Sequence, residues 1–263
     1  MLNNYWDSLI HRAQVLAAAN QATRDILNFY EAILGAQKDI YENLRRREQW
    51  LPTGNFEADV LVLSQMMPIL SGVVEKHGPS VLAEQAATLT KATEDEIGQS
   101  LIRQWRSPSD TRFFEKALLQ PYARWLAETN GRPVDRDLER QEGCCPFCTG
   151  RPQLSILRTR EDILEGGGRD LLCATCLTIW PFRRVVCVNC GEEQPPKLGY
   201  FRSDQLKHVG IEACDSCRYY IKRIDLTEFG LAVPLADELA TAALDLWARE
   251  QGYTKIELNL VGI

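Results

Sequence analysis

Cysteine is absent from the first 143 residues of this 263-residue chain. Histidine is scarce throughout: His11, His77 and His208 are the only three, and they are scattered. No Ser/His/Asp set, paired-carboxylate site or nucleotide fingerprint stands out, so catalysis has no visible home and the chain reads as a non-enzyme. No apolar run reaches the ~18 residues that span a bilayer, which argues against membrane insertion. The start, Met1-Leu2-Asn3-Asn4-Tyr5-Trp6-Asp7, lacks the basic end and apolar core of a secretory signal, and the expectation is a cytoplasmic protein. Positive charge is not in excess either. With 30 Lys+Arg against 36 Asp+Glu the net charge is −6, poor material for gripping a phosphate backbone. Hydrophobic residues at 45% and charged residues at 25% exclude a disordered or collagen-like chain. At roughly 100–200 residues per domain, the length allows two domains or one large one.

Residues 1–140 read as helices. From Trp6, apolar residues recur at three- and four-residue steps (Leu9, Ile10, Ala13, Leu16, Ala17, then Leu27, Tyr30, Leu34, Ile40, Tyr41, Leu44), which places one face toward a core. Trp50-Leu51-Pro52-Thr53-Gly54 ends that stretch. A second helix is expected from about Glu57 to Lys76, with Pro68 able to kink it, and a third over about 80–91. Thr93-x-x-Glu96 has capping-box spacing and opens a fourth toward Trp105. Asp110 is the expected cap of a fifth, which carries Phe113, Leu118, Tyr122 and Leu126. The aromatic residues of this half read as core, and Arg45-Arg46-Arg47 as a solvated helix end. The polar run 131–142 reads as a linker. Beyond the cysteines, Pro234 opens one amphipathic helix, Leu235–Glu250, closed by Gly252. Ile256–Leu260 alternates like a short strand.

All nine cysteines lie between Cys144 and Cys217, and eight form C-x-x-C pairs: Cys145/Cys148, Cys173/Cys176, Cys187/Cys190 and Cys214/Cys217. In a chain without an export signal, paired thiols read as metal ligands or redox centres before disulfides. Cys145 and Cys173 are 28 positions apart, and Cys187 and Cys214 are 27 apart. The first pairs of the two units lie 42 apart and the second pairs 41. One duplication of C-x2-C-x23/24-C-x2-C accounts for all four spacings. Each unit supplies four thiolates, enough for a closed tetrahedral site. We therefore group Cys145, Cys148, Cys173 and Cys176 as site one, and Cys187, Cys190, Cys214 and Cys217 as site two. An interleaved cross-brace is the competing arrangement, and the duplication argues against it. Tetrahedral thiolate suits zinc or iron alike.

Gly191, just after Cys190, suits a turn with positive φ. Gly166-Gly167-Gly168 reads as a hairpin tip and not a phosphate cradle, since no Lys-Ser/Thr follows in strand-to-helix context. Cys144 reads as a bystander, or as an accessible thiol beside site one. With four thiolates already available to each site, His208 reads as a surface residue.

The ordered series Cys145-Pro146-x-Cys148 with Pro152, Cys173-x-x-Cys176-x-x-x-Trp180, Arg184 before Cys187-x-x-Cys190, and Cys214-Asp215-x-Cys217 with Tyr220 and Lys222 resembles the FdhE formate dehydrogenase accessory proteins. Asp237, Leu239, Ala240, Leu244, Asp245 and Gly252-Tyr253 look like that family's C-terminal helix and its exit. Ile26-Leu27-Asn28-Phe29, Ala36-Gln37 and Ala117-Leu118-Leu119-Gln120 look like its helical region. Thr149 departs from the glycine that follows the first knuckle in the family, Cys144 is an addition, and the helical half is short. The resemblance implies a mainly α fold: a helical domain (1–142), two tandem rubredoxin-like, zinc-ribbon-like β modules (143–184 and 185–228), and a C-terminal helix and tail (229–263). It implies iron in both four-cysteine sites, with zinc as the alternative. The implied job is to bind the catalytic subunit of a formate dehydrogenase in the cytoplasm and help it become active. Trp180 and Tyr220 are candidate client contacts, with packing over the metal sites as the plainer role.

A rubredoxin-like electron carrier is the second reading, and a zinc-ribbon nucleic-acid module the third. Residues 144–225 carry 12 Lys+Arg and 10 Asp+Glu, a balance of +2 that eight thiolates and two divalent ions turn into −2. That places nucleic-acid binding last.

Overall fold

A computed structural model describes residues 4–47, 50–129, 131–133, 142–159, 167–202 and 206–263. The linker expected over 131–142 and the glycine tip at Gly166 fall largely outside these residues. Among the described residues the chain forms nine α-helices and seven strands and is about half helical.

The apolar stripe of the first stretch is carried by two helices, α1 (Asn4–Ala19) and α2 (Arg24–Arg46). They part at Asn20, whose side chain accepts the Ala22 N–H at 3.0 Å and opens a short 3-10 turn. The helix expected over 57–76 is likewise two, α3 (Phe56–Ser64) and α4 (Met67–His77), bent by 51°. Pro68 sits in the first turn of α4, where its missing N–H costs no hydrogen bond. Asn55 caps α3 by accepting the Glu57 N–H. Next come α5 (Ser80–Leu89), α6 (Glu94–Arg106) with its Thr93/Glu96 capping box formed, and α7 (Phe113–Glu128). Asp110 does not cap α7. It pairs instead with Lys116 at 2.8 Å. Trp6, Leu27, Ile33, Ile40, Phe56, Trp105 and Tyr122 fill the core between these helices. Buried Asp59 accepts the Tyr122 hydroxyl at 2.7 Å, which satisfies a polar group that would otherwise be costly there.

The strands are β1 (Pro152–Arg158), β2 (Gly168–Cys173), β3 (Ile179–Phe182), β4 (Leu198–Arg202), β5 (Val209–Cys214), β6 (Tyr219–Asp225) and β7 (Thr254–Lys255). Each cysteine unit folds as the same three-stranded antiparallel meander, β1-β2-β3 and β4-β5-β6. The two do not stand apart as small modules. β1 pairs in parallel with β6, from Leu154 opposite Lys222 to Leu157 opposite Asp225. The result is one seven-stranded sheet of order β3-β2-β1-β6-β5-β4, with β7 also on β6. Expecting a mainly α chain with two β units thus captures the layers, and the continuous sheet is the difference.

The C-terminal helix breaks at Thr241 into α8 (Pro234–Ala240) and α9 (Ala242–Glu250). The cause is Lys222 on β6, fully buried, whose ammonium donates to the Glu238 and Thr241 carbonyls at 2.6 and 2.9 Å. Carbonyls at a helix end have lost their regular i+4 partner and accept a further donor readily. Lys222 also pairs with Asp245, and Lys255 with both Glu238 and Asp245, so two buried ammonium groups face two buried carboxylates. His208 is buried as well, not on the surface: its Nε2 lies 2.8 Å from Asp237, which Arg12 of α1 also grips at 2.6 and 2.9 Å. Gly252 closes α9 at φ +76°. The alternation over Ile256–Leu260 is not a strand. Ile256 and Leu260 are buried on either side of turns, and Lys116 of α7 donates to the Leu258 carbonyl at 2.7 Å. Among the described residues no single helix is long and apolar enough to cross a membrane.

Candidate metal centres

Each C-x-x-C turn ends on a residue in the left-handed region. Thr149 has φ +57°, Leu177 +59°, Gly191 +75° and Arg218 +61°. The repeat has a plain cause: after the second cysteine the chain must reverse, so that both sulfurs point inward from one turn. The turns close with the N–H of Thr149, Gly191 and Arg218 donating to the carbonyls of Cys145, Cys187 and Cys214 at 2.8–3.0 Å. The sequence pointed to Gly191 alone. Thr149, Leu177 and Arg218 hold the same conformation despite the strain a Cβ suffers there.

In site one the sulfurs of Cys145, Cys148, Cys173 and Cys176 all lie within 4.8 Å of one another. Cys148 is 3.4 Å from both Cys173 and Cys176, and Cys145 is 3.6 Å from Cys176. In site two the sulfurs of Cys187, Cys190, Cys214 and Cys217 meet the same limit, with separations of 3.6 Å (Cys187–Cys217) and 3.7 Å (Cys190–Cys214). Four sulfurs about 2.3 Å from one ion stand roughly 3.8 Å apart in a tetrahedron. A disulfide needs about 2.05 Å. The donor set therefore fits a tetrahedral thiolate ion at both places, and the sulfurs converge by unit without interleaving.

Electrostatics favours the same occupant. Burial pushes the thiols of Cys176 and Cys187 up, so four packed thiolates need a cation among them. At Cys217 burial also raises the thiol, but hydrogen bonds from the Tyr219 N–H, the Asn189 side chain and the neighbouring Cys190 and Cys187 together hold the group below its ordinary value. The Thr175 N–H points at the Cys173 sulfur at 3.3 Å, and the Thr178 hydroxyl lies 3.1 Å from Cys176.

The two sites differ in cover. All four cysteines of site one are buried and belong to the main core, and Gln120 of α7 donates to the Ala174 carbonyl inside the second knuckle at 2.8 Å. In site two Cys190 is exposed and Cys217 half-buried. Between the sites lies a cleft of about 300 Å³ lined by Cys144, Arg151, Asn189 and Tyr219 among others. Gly143 passes so close that a Cβ there would stand 2.5 Å from the Val188 carbonyl oxygen, and Arg151 donates to Asn189 at 2.7 Å. Cys144 is partly exposed at this junction. Trp180 and Tyr220 take the packing role among the readings open to them. Both are buried, and the Tyr220 hydroxyl donates to Asp245 at 2.8 Å.

Comparison with known proteins adds a family. A family model described as FdhE, C-terminal domain, matches residues 185–261. A protein FdhE homolog of Aquifex aeolicus is 33% identical over 272 residues, spanning 96% of this chain and 94% of the relative. One of Shewanella oneidensis is 27% identical, over 87% of this chain and 77% of its own length. The crystal structure of the FdhE protein from Pseudomonas aeruginosa superposes with a TM-score of 0.71, covering 98% of this chain and 95% of that one at 22% identity, which shows the shared fold.

Proposed function

The chain belongs to the FdhE family, and from that premise we propose that it is an accessory protein for formate dehydrogenase that binds the enzyme's catalytic subunit during assembly. The observation that carries this reading is the pair of four-sulfur clusters, each at tetrahedral spacing, built into the sheet. The proposed ligands are Cys145, Cys148, Cys173 and Cys176 for the first ion, and Cys187, Cys190, Cys214 and Cys217 for the second. Iron is the proposed metal. Bound iron supplies a one-electron couple, which zinc does not.

The chain's own residues give the sites different tasks in this proposal. Buried site one, tied to α7 through Gln120, locks the sheet onto the helical part. Site two, with Cys190 at the surface, is where a client comes within electron-exchange reach. Residues 1–142 form the holding scaffold, 143–184 and 185–228 the two thiolate units, and 229–263 the closing segment. The proposed place of work is the cytoplasm, and the protein turns over no substrate.

Removing the gene while leaving the formate dehydrogenase transcript intact is expected to abolish that enzyme's activity. Catalytic subunit is expected to co-purify with the tagged wild-type chain. Full formate dehydrogenase activity in the deletion strain contradicts the proposal. Rapid electron transfer by the purified protein to a small acceptor, with no client bound in cells, favours the carrier reading instead.

A further inference from the structure

Beside site two lies a cavity of about 140 Å³, similar to one of about 150 Å³ that admits benzene. Three guanidinium groups from separate elements line it: Arg169 on β2, Arg184 on the connection between the units, and Arg223 on β6. Against them stands one carboxylate, Glu212 on β5.

Glu212 is already committed. It pairs with Arg169, accepts the Ser155 hydroxyl at 3.3 Å, and makes a longer ion pair with Arg223 Nη1 at 3.6 Å, beyond hydrogen-bond range. Arg169 is fixed by Ser155 at 2.9 Å and by the Arg183 and Val186 carbonyls at 3.0 and 2.9 Å. Arg223 is different. Its Cζ lies 3.6 Å from the Tyr200 ring centroid, so the ring holds the guanidinium plane and leaves the N–H edge for an acceptor. Its Nε is buried and has no hydrogen-bond partner. A buried N–H without an acceptor is costly, the Glu212 ion pair does not reach it, and the group that best relieves it is an anion in the plane of the fork. Much of the remaining wall is apolar, with Val188, Leu198, Ile221 and Ile256.

We propose that this cavity binds a carboxylate carrying a short apolar body of about benzene size, with Arg223 as its principal anchor and Arg184 at the mouth. The carboxylate comes either from a free small acid or from the C-terminus of a docked protein chain. The arginines also face site two, where Cys187 and Cys214 share the cavity wall, so charge balance for the thiolates is the rival role.

The test is calorimetry on the full metal-loaded chain with benzoate, benzamide, a hexapeptide ending in a free Phe carboxylate, and the same peptide amidated. The acids are expected to bind about tenfold or more tighter than the amides. Arg223→Gln should weaken acid binding about tenfold or more, and Arg184→Gln, at an exposed position, should weaken it measurably without disturbing the fold. Preference for benzoate identifies a free acid, and preference for the peptide a docked chain. Either supports the site. No binding of any acid, equal binding of acid and amide, or unchanged binding in both variants overturns it. So does loss of the site-two ion from Arg223→Gln with no acid bound by the wild type, which assigns the arginines to balancing the thiolates.

Discussion

Gly150→Ala separates a metal site from a mere knot of thiols. Gly150 has no need of positive φ, and its carbonyl accepts the Cys145 N–H at 2.9 Å, so the backbone tolerates alanine. What it lacks is room. A Cβ would stand 2.9 Å from Thr175 Oγ1, 3.0 Å from the Cys173 sulfur and 3.2 Å from the Cys148 sulfur. Ordinary non-bonded contact is about 3.5–4.0 Å, so these atoms must shift by roughly 0.5 Å or more. Thiolate–metal distances tolerate only about 0.2 Å. Overpacking of this kind costs about 1–3 kcal/mol, or roughly a 5- to 150-fold loss of site-one metal affinity. Competition with a chromophoric chelator measures it, with Gly191→Ala as the comparison. That position has nothing within 4 Å, but φ is +75°, so its cost of about 1 kcal/mol is conformational and falls on site two. If Gly150→Ala holds its site-one ion with wild-type affinity, the sulfurs do not hold an ion in the arrangement described.

Chelator added to the loaded wild-type chain should strip site two faster than site one, by roughly tenfold or more, because Cys190 is exposed while site one is sealed. Stopped-flow metal release in two equal phases checks this, and a single phase counts against it. Thr149→Gly should raise stability by about 0.5–1 kcal/mol in denaturant titrations, since glycine relieves the left-handed strain at φ +57°. Lys222→Met should destabilise the fold by about 3 kcal/mol, because Asp245 loses a buried partner and the α8 terminus its donor, although Lys255 remains. A melting curve unchanged by that substitution would mean that the ammonium is not what breaks the helix.

The cysteine spacing made the grouping of sulfurs legible, because a duplicated unit can close its own tetrahedron without reference to the rest of the chain. The helical faces and the Thr93/Glu96 cap were legible for the same reason: their determinants lie within a few residues. Joining of the two meanders was not, since the β1–β6 pairing links residues about 68 positions apart (Leu154 to Lys222) through backbone alone. Nor was the break at Thr241, set by an ammonium from another strand, or the burial of His208, whose partner Asp237 is itself gripped by Arg12 from the first helix. The left-handed Thr149, Leu177 and Arg218 had a usable signal in their common place after each second cysteine. Glycine-based reasoning reached only Gly191.

The central claim is that each unit holds one ion through its own four sulfurs. Metal analysis of chain purified without oxygen tests it most directly, alongside Cys145→Ser and Cys214→Ser. The account predicts two ions per wild-type chain and one per variant, with site-two thiols still protected in the first variant and site-one thiols in the second. One ion or none in the wild type, or loss of both ions from either substitution with the rest of the chain folded, contradicts it.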